Sequence, residues 1–200
     1  MPMWAKRLVD VLLSALGLVL LAPLLLAIAL WIKLDSPGPV LFRQERVGRR
    51  GRMFSIHKFR TMRPDAPSLG PQITIGADPR VTRAGQVLRR SKLDELPQLW
   101  DVFRGAMSLV GPRPEVPRYV ALYPADIAEL VLSVRPGITD LASIEYRDES
   151  RLLAEAADPE ACYVEQVMPA KLALAARYVQ TRSFIGDLTL LLRTVKAILS

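Results

Sequence analysis

Residues 11–32 run for 22 positions without a charge, mostly Leu, Val, Ile and Ala. At about 1.5 Å of rise per residue such a helix is roughly 33 Å long, enough to cross a hydrocarbon core. Length alone therefore predicts a membrane segment. A cleaved signal peptide is the competing reading, because Lys6 and Arg7 resemble a basic leader. Against it, the run exceeds the usual apolar stretch of about 7 to 15 residues, and no small-x-small cleavage site follows.

Two details oppose a plain crossing. Pro23 falls inside the run, where it removes a backbone hydrogen bond and should bend the helix. Both flanks are also cationic, with Lys6 and Arg7 before the run and Lys33, Arg43, Arg46, Arg49, Arg50 and Arg52 after it. The positive-inside tendency lets only one flank of a spanning helix be strongly basic. The expectation is a re-entrant helix with both flanks on one side, and a kinked crossing is the alternative.

The rest of the chain is bounded by composition. Two hundred residues suit one core. Hydrophobic residues make up 50% and charged ones 24%, which excludes disorder and requires the two kinds to be segregated. A single Cys162 excludes a disulfide scaffold and reads as a small apolar residue, while His57 and Cys162 are too few for a His/Cys metal site. A metal here must be held by oxygen. Residues 1–120 carry 19 Lys+Arg against 9 Asp+Glu, and residues 121–200 carry 8 against 11. The basic part meets polyanions, and its place beside the apolar run favours anionic lipid and phosphorylated substrates over nucleic acid.

Asp35-Ser-Pro-Gly-Pro39 ends the membrane segment and opens a soluble part. Short apolar runs at 40–42 and 53–56, separated by Gly48-Arg-Arg-Gly51, predict a small hairpin. Residues 62–78 lack an apolar period and read as a loop. Helices are predicted over 82–88, 96–103, 116–123, 164–178 and 184–199. In the last of these, Asp187, Arg193 and Lys196 lie opposite the apolar stripe, which suits a core helix or one lying on a membrane surface.

The chemistry concentrates in Leu93-Asp94-Glu95-Leu96-Pro97-Gln98. Asp94 suits an N-cap, with Pro97 in the first turn and Ser91 placed for a loose capping box, so a merely capped helix is one reading. The other rests on Arg89, Arg90 and Lys92, which embed the two carboxylates in positive charge. Those cations and a helix N-terminus would keep Asp94 ionised and bind phosphate, with an oxygen-loving divalent ion such as Mg²⁺ between carboxylate and phosphate. Lys58, Arg60, Arg113, Arg135 and Arg147 stand at further motif-like positions, where arginine beside proline suits phosphate recognition. His57 reads as structural or as an acid–base group.

Four ordered stretches carry a resemblance that covers nearly the whole chain. They are Lys58-Phe-Arg-Thr-Met62, the run from Leu88 through Asp94-Glu95-Leu-Pro-Gln-Leu99, Met107-Ser-Leu-Val-Gly-Pro-Arg-Pro114 and Arg135-Pro-Gly-Ile-Thr139. Together they resemble the bacterial sugar transferases, the monotopic phosphoglycosyl transferases, in their minimal catalytic form. The resemblance implies a mainly helical α+β fold, with a re-entrant membrane helix over residues 1–35, a small β-hairpin and amphipathic interfacial helices. Residues 36–200 would form a membrane-associated catalytic domain on the cytoplasmic face of the inner membrane. It also implies transfer of a sugar phosphate from a UDP-sugar to undecaprenyl phosphate, initiating assembly of a surface glycan. On that pattern Asp94 is nucleophile and Mg²⁺ ligand and Glu95 its partner, while Lys58, Arg60, Arg89, Arg113 and Arg147 gather substrate charge. The chain departs from the pattern with Ala22 where the break is often Ser-Pro, with Asp140 where Gly often follows Thr, and with Ser143 where Gln is common. The sugar stays open. A non-catalytic anchored scaffold that holds anionic lipids or a partner is the competing class.

Cysteines placed at residues 3 and 36 are expected to react only with a reagent on the cytoplasmic side. Reaction of residue 3 solely from outside would establish a crossing.

Overall fold

The computed structural model describes residues 3–66, 69, 76 and 78–199. The apolar run and its basic flank form helices α1 (Met3–Leu20) and α2 (Ala22–Asp35). They meet at Leu21 with a bend of 61°. Pro23 sits in the first turn of α2, where its missing N–H costs least, so the break falls just ahead of the proline. Among the described residues no single helix is long and apolar enough to cross a membrane, whereas this bent pair together is.

Both ends of the pair are tied to the same folded body. Near the start, Arg7 donates to the carbonyls of Val102 at 2.6 Å and Phe103 at 2.8 Å. Asp10, buried, accepts from the Leu109 amide at 3.1 Å, and Lys6 pairs with Asp187. At the far end Asp35 accepts from the Ala84 amide at 3.1 Å. Between these ties Ile28 and Ile32 pack on Phe59 and Leu88, while Val19, Leu20, Leu26 and Leu34 are 68–78% exposed.

The hairpin is longer than its apolar runs predict. Strand β1 (Leu41–Val47) pairs antiparallel with β2 (Met53–Phe59), Leu41 opposite Phe59 and Val47 opposite Met53. The polar Arg43-Gln-Glu-Arg46 stretch belongs to a half-exposed strand, so side-chain polarity hid the ladder. Most of the predicted loop at 62–78 lies outside the described residues. Its approach is closed by a bridge between Met62 and Val81.

Helix α3 (Arg83–Arg90) starts on a Thr82 cap, and a 3₁₀ turn, Leu93–Glu95, leads into α4 (Gln98–Arg104). Strand β3 (Ser108–Val110) follows, then short α5 (Pro117–Val120) and α6 (Ala125–Leu132), then β4 (Gly137–Thr139). The pairing of β3 with β4 is parallel. It is made possible by two glycines, because a Cβ on Gly137 would collide with the Gly111 backbone and one on Gly111 with the Arg135 carbonyl. The Gly111-Pro-Arg-Pro and Arg135-Pro-Gly stretches, read from sequence as punctuation, are thus a close backbone crossing.

Helices α7 (Leu141–Glu145), α8 (Glu149–Ala154) and α9 (Pro159–Cys162) lead through a π turn to α10 (Met168–Thr181) and then α11 (Phe184–Leu199). One core gathers Tyr119, Val131, Leu153, Tyr163 and Leu172, with Cys162 half-buried at its edge. In α11 Asp187 lies away from the exposed apolar stripe, as its spacing predicts, and faces inward. That residue is buried, with Tyr178 donating to it at 2.8 Å, whereas Phe184, Ile185, Leu188 and Leu192 are exposed. Leu190 packs on Val110 and Tyr178. Arg193 is exposed like its apolar neighbours, so the outer face is amphipathic.

Gly137→Ala should cost about 3 kcal/mol, the upper end for overpacking, since backbone opposes backbone and no rotamer can relieve it. Gly51→Ala meets nothing within 4 Å and bears only its positive φ of 72°. That strain is worth about 1–2 kcal/mol. Thermal unfolding should therefore rank wild type above Gly51→Ala and Gly51→Ala above Gly137→Ala.

Candidate active site

The two carboxylates of the 3₁₀ turn meet different fates. Lys92, at φ 57°, turns the chain sharply out of α3 and delivers Leu93–Glu95 against β2. Glu95 accepts from Lys58 Nζ at 2.8 Å on Oε1, and Arg113 grips it with both terminal nitrogens, one of them to Oε2 at 3.1 Å. Its side chain is 13% exposed. Asp94 is buried as well, yet its carboxylate has no hydrogen-bond partner among the described residues.

Electrostatics follow this geometry. Burial works against the charge of Glu95, but Arg113 and Lys58 outweigh it and hold the carboxyl well below the usual carboxylate range. In return Glu95 raises the Arg113 pKa. Burial lowers that of Lys58 despite Glu95. For Asp94 the largest influence is burial, which pushes its pKa up. Glu95 adds to the rise, while Lys58 and Arg89 oppose it. The flanking cations that the sequence sets beside Asp94 oppose this rise, but burial and its acidic neighbour outweigh them. The predicted N-cap is also absent: α4 begins at Gln98 with Pro97 at its cap. Ser91 donates instead to the Val87 carbonyl at 2.8 Å, closing α3.

Of the other predicted residues, Lys58 from β2 and Arg113 from the 111–114 turn converge on Glu95. Arg89 from α3 donates to Thr61 Oγ1 at 2.8 Å, and its charge acts on Asp94. Arg60 goes elsewhere: its guanidinium donates to the carbonyls of Ser36 at 2.8 Å, Ile32 at 3.4 Å and Pro37, closing the C-terminal end of α2. Arg147 lies half-buried in the turn between α7 and α8. His57 is held through Nδ1 and its amide by Asp101, at 2.7 Å and 2.9 Å, a fixed structural pair.

Sequence reasoning missed the supports behind Arg113. Asp140 caps α7 and also accepts from the Arg113 amide at 3.2 Å. Glu115 accepts from Tyr163 at 3.0 Å and pairs with Arg46 at 3.5 Å, backing the same turn. An Asp followed by a Ser three residues on was the available signal for the cap. The partner across the fold had no signal in the sequence. Metal ligands are sparse: among the described residues no group of three or more His, Cys, Asp or Glu could hold an ion. The Asp94 carboxylate is the available oxygen ligand, since both Glu95 oxygens are occupied.

Glu95→Gln leaves two partly buried cations without their charge partner, at a cost of about 3 kcal/mol, the lower end for breaking a buried pair. Because the folded pKa of Glu95 is depressed, its stabilisation is complete above an unfolded value of about 4.3 and is lost as pH falls through the lower folded value. The gap in melting temperature between wild type and Glu95→Gln should be steady from pH 6 to 8 and close in acid. Asp94→Asn, relieving a buried charge with a raised pKa, should melt at or above wild type at pH 7.

Comparison with known proteins agrees with this arrangement of motifs. The bacterial sugar transferase family matches over residues 1–200. The UDP-glucose:undecaprenyl-phosphate glucose-1-phosphate transferase of Caulobacter vibrioides is 45% identical over 199 residues, covering 98% of this chain and 70% of that protein. The UDP-N-acetylgalactosamine-undecaprenyl-phosphate N-acetylgalactosaminephosphotransferase of Aeromonas hydrophila is 42% identical over 163 residues, 77% of this chain and 38% of that protein. An undecaprenyl-phosphate glucose phosphotransferase of Komagataeibacter xylinus is 50% identical over 148 residues, 71% of this chain and 28% of that protein. The chain thus spans well under half the length of the latter two. With a family match along its entire length and close identity to such relatives, the chain belongs to the bacterial sugar transferase family.

Proposed function

We propose that this protein transfers a sugar 1-phosphate from a UDP-sugar to undecaprenyl phosphate through an aspartyl intermediate on Asp94, at the cytoplasmic face of the inner membrane. The observation that carries the reading is the divergence of two adjacent carboxylates. Glu95 is saturated by Lys58 and Arg113, whereas Asp94 is buried with no hydrogen bond among the described residues. A partnerless carboxylate beside cations is destabilised as an ion and poised to act on phosphorus.

In the first step an Asp94 oxygen attacks the β-phosphorus. The bond from that phosphorus to the bridging oxygen breaks, and UMP leaves with the bridging oxygen. In the second step an oxygen of undecaprenyl phosphate attacks the same phosphorus, and the bond to Asp94 breaks, restoring its carboxylate. The product is undecaprenyl diphosphate sugar. Lys58, Arg89 and Arg113 supply positive charge where the phosphoryl oxygens gather it. Arg147 remains a proposed substrate contact, and Arg60 acts by fixing the end of α2. Mg²⁺ would be held by the Asp94 carboxylate, an oxygen donor of the kind this hard cation takes. When bound it supplies charge to neutralise the diphosphate.

The membrane placement is supported by the ties at both ends of the α1–α2 pair. Lys6, Arg7 and Asp10 bond the same body that Asp35 and Arg60 bond. A pair so held enters and leaves lipid on one face, with residues 1–35 re-entrant and 36–200 as the catalytic part. The exposed apolar side of α11 suits the interface beside it. Relatives acting on glucose and on N-acetylgalactosamine make both UDP-sugars the donors to try.

Protein incubated with donor and Mg²⁺ but no acceptor should gain the mass of one sugar phosphate and release UMP, and Asp94→Asn should do neither. An unmodified mass under donors that support full turnover would remove the covalent path. Absence of UMP with every donor would favour the anchored scaffold.

A further inference from the structure

Asp140 is 2% exposed, yet its carboxylate serves two parts of the chain. Oδ1 accepts from the Ser143 amide at 2.7 Å and the Ser143 hydroxyl at 2.6 Å, which is enough to cap α7. Oδ2 accepts from the backbone N–H of Arg113, 27 residues away, at 3.2 Å. The cap of α9 offers a contrast. There Asp158 uses Oδ1, for Glu160 and Ala161, with no partner across the fold among the described residues. Arg113 is therefore held at both ends, its backbone by Asp140 and its guanidinium by Glu95. The crossing of Gly111 and Gly137 fixes the turn between them.

We propose that Asp140 is a positioning residue of the transfer reaction, holding the 111–114 turn so that Arg113 stays on Glu95 and does not pair with Asp94. The proposal rests on Asp94 being the nucleophile. Beyond Glu95, the charges of Asp140 and then Asp94 also act on Arg113. A turn released from Asp140 lets the guanidinium share itself between the two carboxylates. An ion-paired Asp94 is a poorer nucleophile, so the loss falls on the chemical step more than on donor binding.

Asp140→Asn separates this role from capping. Asn caps helices as well as Asp does, so its amide oxygen keeps the Ser143 donors. Its NH₂ group then faces the Arg113 N–H, donor against donor, and the second contact is lost. Single-turnover UMP release from UDP-glucose or UDP-N-acetylgalactosamine should slow about tenfold or more, with KM changed less than about twofold, as small misplacements of reacting groups do. Ser143→Ala weakens only the cap and should leave the rate within about twofold of wild type. Asp140→Ser, also a capping residue, serves the same comparison if the amide variant does not fold. A readout independent of turnover is the melting temperature of Asp140→Asn, Glu95→Gln and the double variant. A double loss clearly smaller than the sum supports the link through Arg113, and strict additivity overturns it. Wild-type rates in Asp140→Asn, or equal losses in Ser143→Ala, also overturn it. If wild type releases no UMP, the transferase reading falls, and the melting cycle still decides the positioning link.

Discussion

The grip of Lys58 and Arg113 on Glu95 is the interaction on which the site depends. A carboxylate this deep is costly unless each oxygen is satisfied, and here the partners come from β2 and from the turn after β3. The clamp therefore joins three segments distant in sequence: the strand, the 3₁₀ turn and the Gly111–Pro114 crossing. It also sets the state of Asp94. With burial acting on it directly and Glu95 kept ionised next door, Asp94 is raised in pKa and has no hydrogen-bond partner among the described residues. Under the proposed function stability is concentrated on one carboxylate and reactivity on its neighbour, the usual separation between supporting and reacting groups in a site.

A second constraint acts at the N-terminus. The helix pair is apolar through its middle, yet its ends carry Lys6, Arg7, Asp10 and Asp35. Each of these finds a partner on the body of the protein. The helix pair is thus continuous with the fold through α4, β3 and α11, and Val19, Leu20 and Leu26 in its middle are left exposed. Under the proposed function, the same placement brings a lipid-facing surface and the Asp94 turn into one frame, as a reaction between a soluble and a lipid-borne substrate requires.

The strongest periodic signals were legible in the sequence, and the weakest were not. The apolar run, its break near Pro23, the hairpin and the long C-terminal helices emerged from hydropathy and turn chemistry alone. The parallel pairing of β3 with β4 left no trace there, because three-residue strands have no measurable period. The extent of β1 was hidden by its charged side chains. In α11 the amphipathic pattern left open which side faces the body, and Tyr178 and Lys6, on other helices, turn the Asp187 side inward. Within the site, the acid pair and its cations were visible as motifs. Arg60 was visible as a basic residue beside Lys58, but its task at the end of α2 was not.

By itself the sequence determined that the chain holds a long apolar segment interrupted by a proline, basic residues beside it and an acidic pair set among arginines. Those are properties of local composition and spacing, which act through the chain whatever its fold. Only the tertiary structure decided which carboxylate is clamped and which is left unpaired, that Asp140 braces Arg113, and that both ends of the apolar pair return to one body. These depend on groups up to 181 positions apart meeting in space, as Lys6 and Asp187 do. Burial and charge pairing, which set the reactivity of each group, arise only when those distant segments pack.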